Sequence, residues 1–172
     1  MAASKFEYTQ YTAEQYVESA GAILVNISTR QICVVQDKAS KEWLLPNGRR
    51  NCGESRQAAA LREAFEETGY QCQPLLLTMR TRAPPAVEIA RQDYPDEVTC
   101  RQLGGEHGLK LIWWYVAAID EGVVWQGGEE QFRVELIGFD QAIGQLTFEG
   151  DRDIVRKAID LFDGSEHNPA VG

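Results

Sequence analysis

Residues Gly48–Tyr70 read GRRNCGESRQAAALREAFEETGY, and the organisation of the chain follows from this stretch. Ser55 to Thr68 holds no glycine or proline and predicts a helix. Gly69 stands where helices most often stop, just past the last turn. At ~100° per residue, Ala58, Leu61 and Phe65 fall on one side, the expected core stripe. Glu63, Glu66 and Glu67 fall roughly opposite, at i, i+3 and i+4, so their carboxylates share one patch. Like charges at that spacing cost about 0.2–0.5 kcal/mol per pair. Arg62 flanks the patch and offsets part of that cost. Gly48 and Glu54 lie just upstream, where the chain enters the helix.

Two readings of the patch compete: a solvated acidic face, or a cluster built for divalent cations. Hard oxygen donors on a rigid element suit Mg²⁺ or Mn²⁺, which keep part of their water and bridge substrate phosphates. Spacing separates the two. Gly48, five residues, Glu54, seven residues, Arg62-Glu63, an apolar residue, any residue, Glu66-Glu67, any residue, Gly69 and an apolar residue: this resembles the signature of the Nudix hydrolases. With each residue type near ~7% of usage, a chance match of the seven fixed positions at one start is about 10⁻⁸. Ala64 and Tyr70 fill apolar slots where larger aliphatics are commoner. The flanks agree, with an AGAI run at Ala20–Ile23 and WLLPNG at Trp43–Gly48. The resemblance therefore extends over most of Ser19 to Phe162.

The resemblance implies an α/β/α sandwich around a mixed sheet, with the signature as a loop-helix-loop. It implies cleavage of a diphosphate linkage by water with Mg²⁺ or Mn²⁺. Glu63 and Glu67 match the usual metal ligands, Glu66 a further ligand or the general base, and Gly48 a backbone carbonyl donor. Arg62 matches a residue that holds Glu54 or its neighbours. The base stays open between Glu66 and Glu63, and Glu129 and Glu130, beside Gly127-Gly128, are candidate accessory carboxylates.

Outward from the signature, Gly21–Ile27 and Gln31–Gln36 predict two strands joined by a turn at Ser28–Arg30. Glu42–Leu45 predicts a third strand, stopped at Pro46-Asn47-Gly48, and Leu75–Met79 a short one. Leu109–Ile119 (LKLIWWYVAAI) is the strongest strand pattern, with Trp113 and Tyr115 on one face and Trp114 on the other. Phe132–Phe139 is another strand; Asp140–Leu146 and Asp151–Phe162 read as helices. The pattern predicts a mixed α/β or α+β single domain over 19–162. Residues 1–18 read as an N-terminal extension and 163–172 as a frayed tail. Residues 83–108, rich in proline, glycine and charge, read as a long excursion without a continuous core strand, a lid or a specificity loop.

Composition narrows the partners. The 172 residues carry 17 Lys+Arg against 26 Asp+Glu, a net charge of -9. That balance opposes binding to long nucleic acid or to an anionic membrane. No apolar run reaches the ~20 residues of a membrane span. Met1–Glu18 lacks a signal-type apolar core, so a cytoplasmic location is the default expectation. Cys33, Cys52, Cys72 and Cys100 form no CxxC pair and are expected to be reduced and mostly buried.

For the substrate, Arg49, Arg50, Asn51 and Arg56 crowd the loop, and Arg80 and Arg82 follow the helix. Guanidinium forks suit multiple phosphates. The pattern resembles fungal-type diphosphoinositol polyphosphate phosphohydrolases within the family, which implies an inositol pyrophosphate as the small-molecule substrate. Asn47 stands where many members have glycine. The alternative is a dinucleoside polyphosphate, ADP-ribose or a nucleotide sugar, with Trp43, Trp113, Trp114, Tyr115 or Trp125 as a base platform. His107 reaches the site if the excursion folds over it. The intact set of glutamates argues against a catalytically inactive binding module.

Overall fold

The computed structural model describes residues 9–77, 79, 99–105 and 108–166. A single 3-10 turn at Ala13–Gln15 leads into β1 (Tyr16–Asn26), and a tight turn returns the chain as β2 (Gln31–Asp37). β3 (Trp43–Leu44) pairs with β2; after Pro46 the chain runs antiparallel to β1 as β4 (Asn47–Arg49), opposite Ser19–Gly21. Helix α1 (Arg56–Thr68) follows, then β5 (Cys72–Pro74), β6 (Thr99–Gly105), β7 (Gly108–Ile119) and β8 (Phe132–Gly138). Helices α2 (Phe139–Gln145) and α3 (Glu149–Glu166) end the described chain.

The eight strands form one mixed sheet. Its spine is β3-β2-β1-β7-β5, with β8 on β2, β4 on β1 and β6 on β7. β1 and β7 run parallel, in register from Tyr16↔Leu109 to Val25↔Ala118. Strand alternation then sorts the core into two layers. Ile23 and Val25 join Ile112, Trp114 and Val116 under Leu146, Val155, Ala158 and Phe162 of the C-terminal helical segment. Ala20, Ala22 and Leu24 join Tyr115, Ala117 and Ile119 under α1. The expected α/β/α sandwich is thus the fold, and Trp113 and Trp114 lie on opposite faces as alternation requires.

Several expected elements shift. β1 begins at Tyr16, inside the stretch read as an extension, because its early residues pair with β7. Part of the 83–108 excursion is a strand: residues 99–105 of β6 pair antiparallel with β7, Thr99 opposite Trp114. Residues 83–98 and 106–107 lie outside the described residues. The strand expected at Leu75–Met79 is displaced to β5, since Leu75, Leu77 and Met79 plug the first core layer instead of pairing as a run. Helix α3 continues past Phe162 to Glu166, where Arg30 of the β1–β2 turn binds Asp163 and Ser165 donates to the Leu161 carbonyl. Cys33 is buried and Cys72 half-buried, but Cys52 is exposed; none of these three is in a disulfide.

The expected core stripe of α1 is also corrected. Ala58 is exposed and Leu61 and Phe65 only half-buried; the buried residues are Ala59, Ala60, Ala64, Glu67 and Thr68. The helix sits against Ala20 and Ala22 of β1 through methyl groups, so small residues, not large ones, mark its buried face. Such a close-packed seam has no room for added volume. Ala64→Leu is therefore expected to destabilise the protein by about 1–3 kcal/mol, whereas Ala58→Leu stays within about 0.5 kcal/mol of wild type. Urea unfolding of the two variants checks this; equal midpoints would show that the seam is not tightly packed.

Candidate active site

The site is built where the loop after β4 enters α1. Ser55 caps the helix, its Oγ accepting the Ala58 N–H at 3.1 Å. Gly69, at φ 73°, ends it in the left-handed conformation that favours glycine. Between these ends Arg62 gathers the acids. Its Nε donates to Glu54 Oε1 at 2.8 Å and its Nη2 to Glu54 Oε2 at 3.0 Å. Its Nη1 donates to Glu63 Oε1 at 2.8 Å and Glu66 Oε2 at 3.0 Å. Nη2 also donates to the Arg49 carbonyl. Hydrogen bonds from Arg62, with help from the Asn51 N–H, hold the Glu54 carboxyl below its usual range despite burial. The same contacts, that to Glu54 foremost, push the guanidinium up.

Glu67 has a different environment. It is only 9% exposed, and its Oε2 accepts the Asn47 N–H at 3.2 Å. Burial pushes its carboxyl up to about 8; the Asn47 bond opposes this, while the charges of Glu63, Glu129 and Glu66 add to it. Gly48 lies directly under Glu63: a Cβ there would stand 2.0 Å from Glu63 Oε2. Glycine at the first signature position is thus what lets the Glu63 carboxylate rest on the β4 backbone.

The loop before β8 closes the other end. The Trp125 indole N–H donates to the Thr68 carbonyl at 2.7 Å, Gln126 N–H to Gly69 and Glu129 N–H to Glu66. These donors satisfy carbonyls that a helix C-terminus otherwise leaves bare. Gly128 makes the approach possible, since a Cβ on it would meet the Glu67 carbonyl oxygen at 2.1 Å. Glu129 is thereby brought within electrostatic reach of Glu67. Glu129 and Glu130 both line an open groove of about 500 Å³ with Lys38, Lys41, Trp125 and Arg133.

The expected site residues divide accordingly. Gly48, Glu54, Arg62, Glu63, Glu66 and Glu67 come together, and Glu129 joins them. Arg49, at the end of β4, and Asn51, on the loop after it, are exposed. Arg50 and Arg56 were expected to bind substrate, but both are already engaged by a residue that sequence reasoning missed, Glu18 of β1. Arg50 Nε donates to Glu18 Oε2 at 3.0 Å; Arg56 donates to Glu18 Oε1 from Nε at 2.9 Å and Nη2 at 2.7 Å. The Trp113 indole N–H reaches the same Oε1 at 3.0 Å, beneath the Arg56 guanidinium stacked 3.6 Å from its ring centroid. Burial pushes the Glu18 carboxyl up, but bonds from Arg56, Arg50 and Trp113 outweigh it and leave it below its usual range. A lone acid at the head of an apolar strand was the available signal. Arg80, Arg82 and His107 lie outside the described residues.

The donor set is all hard oxygen: the carboxylates of Glu63, Glu66 and Glu67 beside the Gly48 backbone. Among the described residues no three acidic, histidine or cysteine side chains form a ready metal cage, and Arg62 holds Glu63 and Glu66 to its Nη1. A carboxyl pushed up by burial, and further by three neighbouring acids, is in an environment that a divalent cation relieves. Charge and donor type therefore fit such an ion.

A NUDIX domain model matches residues 15–157, and the chain belongs to that family. An 8-oxo-(d)GTP phosphatase of Mycolicibacterium smegmatis is 27% identical over 132 residues, 77% of this chain and 34% of that protein. An RNA pyrophosphohydrolase of Novosphingobium aromaticivorans is 32% identical over 101 residues, 57% of this chain and 60% of that protein. The matched stretches thus span less than two thirds of these relatives. A C. elegans Ap4A hydrolase shares the fold, with TM-score 0.64 and 17% identity over 86% of this chain and 98% of that one. No helix among the described residues is long and apolar enough to cross a membrane.

Glu67 carries a stability consequence. Its folded carboxyl titrates near 8, above the 4.5 of a free glutamate, so the folded state holds a proton that the unfolded state has lost. Stability of the metal-free protein therefore falls as pH rises from about 4.5 to about 8. Glu67→Gln removes that slope and stabilises the metal-free protein at pH 7 by about 1–3 kcal/mol. Denaturant unfolding at pH 5 and pH 8 reads both; a variant with the wild-type slope would show that Glu67 does not cause it.

Proposed function

We propose that the chain is a divalent-cation-dependent pyrophosphohydrolase that splits a phosphoanhydride bond of a phosphorylated small molecule. The observation that carries this reading is the Arg62 guanidinium binding Glu54, Glu63 and Glu66 next to the buried Glu67. Glu63, Glu67, Glu66 and the Gly48 carbonyl would hold Mg²⁺ or Mn²⁺. Such an ion, when bound, screens phosphate charge and lowers the pKa of water. Glu66, whose side chain is 45% exposed, is the carboxylate best placed to take the proton of an attacking water. Water oxygen bonds to phosphorus, the bridging P–O bond breaks, and the leaving phosphate departs with the electron pair.

A nucleoside polyphosphate is the substrate class we favour. The relatives are an 8-oxo-(d)GTP phosphatase and an RNA pyrophosphohydrolase. Arg50 and Arg56 are occupied by Glu18, which weakens the case for an arginine cradle around an inositol pyrophosphate. Trp125, half-exposed and anchored to α1, offers a flat face at the edge of the groove for a base. Exposed Arg49 is the feature that favours the inositol reading.

Hydrolysis with Mg²⁺, followed by chromatographic separation of the products, tests both levels, comparing a dinucleoside polyphosphate with an inositol pyrophosphate. Wild type is expected to prefer the dinucleotide, and Glu66→Gln to lower kcat by about 10²–10⁴. Preference for the inositol compound would reverse the substrate assignment. No turnover of either by folded wild type would sink the hydrolase reading for these classes.

A further inference from the structure

We propose that Glu18 is a positioning residue for the cation-binding loop, acting through Arg50 on Glu54 and through the Glu54–Arg62 pair on Glu63. The inference rests on the reading of Glu63 and Glu67 as cation ligands. Glu18 lies outside the signature, yet its side chain is only 11% exposed and receives donors from three residues.

The contacts form a continuous chain. Arg50 is tied to Glu18 twice, by its main-chain N–H to the Glu18 carbonyl at 3.0 Å and by its Nε to Oε2. The far side of the same guanidinium, Nη1, donates to the Glu54 carbonyl at 2.7 Å. The Glu54 carboxylate then accepts the Arg62 fork, and Arg62 Nη1 ends on Glu63 Oε1. The other Glu18 oxygen holds Arg56, the first residue of α1, against Trp113. One carboxylate on β1 thus pins both ends of the segment between Arg50 and Arg56. That segment contains Gly53, at φ 79°, a backbone with little stiffness of its own. Without the Glu18 charge, two partly buried guanidinium groups lose their anion and have reason to turn toward other acids, Glu54 among them. Groups that orient metal ligands from behind commonly change affinity by tenfold or more when removed.

The test is Mn²⁺ binding to the metal-free protein, followed by electron paramagnetic resonance. The variants are Glu18→Gln, which keeps shape and removes charge, and Arg50→Gln, which cuts the same chain one link on and leaves the Arg56 pair in place. Val155→Ala, a cavity in the opposite core layer, serves as a destabilised control. Backbone amide spectra confirm folding. We expect about tenfold weaker Mn²⁺ binding in Glu18→Gln and in Arg50→Gln. The double variant should be no weaker than either single one, as for two links of one chain. Val155→Ala should bind within about twofold of wild type. Wild-type Mn²⁺ affinity in Glu18→Gln, or a loss matched by Val155→Ala, would overturn the inference and leave Glu18 a residue of general stability. Failure of wild type to bind Mn²⁺ at all would overturn the cation-site reading together with it.

Discussion

The guanidinium of Arg62 is the interaction on which the site depends. Three acids within one helical turn, plus a fourth from the preceding loop, repel one another. Arg62 spends its fork on Glu54 and its remaining Nη1 bonds on Glu63 and Glu66. A hydrogen bond to a charged group is worth about 1.5–3 kcal/mol, with partial solvent exposure lowering the value here. Lysine could not replace it: a point charge lacks the planar fork that grips both oxygens of Glu54 while reaching sideways. No bond from this cation to Glu67 is seen among the described residues; burial first, and the neighbouring acids after it, push its carboxyl up.

A second constraint is closeness. The carboxylates meet the sheet and the loop before β8 only because small residues stand wherever backbones approach. Ala60 and Ala64 let α1 settle on β1, Gly48 lets Glu63 lie on β4, and Gly128 lets the loop reach Glu67. A side chain at any of these points would push acids apart or lift the helix away. The glycines of the site thus act by absence of volume, and Gly48 and Gly128 need no unusual φ to do so.

Much of this was legible in the chain. The signature located the helix, its stop at Gly69 and the Arg62–Glu54 pairing; alternation sorted Trp113 from Trp114. Other features were hidden for physical reasons. The α1 core face was misread because hydrophobic scales rank Leu61 and Phe65 above alanine, whereas close packing selects the smaller residue. Residues 99–105 looked like loop because charge and glycine dilute their pattern; the free edge of β7 supplies the strand partner that local sequence does not announce. Glu18 was missed because its importance lies in residues 32 and more positions away that only the fold brings to it.

The arginines acquire a common meaning from this arrangement. On a chain with net charge -9, a local excess of guanidinium near the loop invites assignment to substrate phosphate. In the structure Arg50 and Arg56 bind Glu18, and Arg62 binds Glu54, Glu63 and Glu66. Their positive charge is neutralised inside the molecule, and what it yields is order in the loop and helix. The acids left over, Glu67 foremost, then make sense as holders of a cation that turns an acidic surface into one a phosphate chain can approach. Recognition and catalysis would thereby share the same ion, with the arginine network keeping its proposed ligands in place.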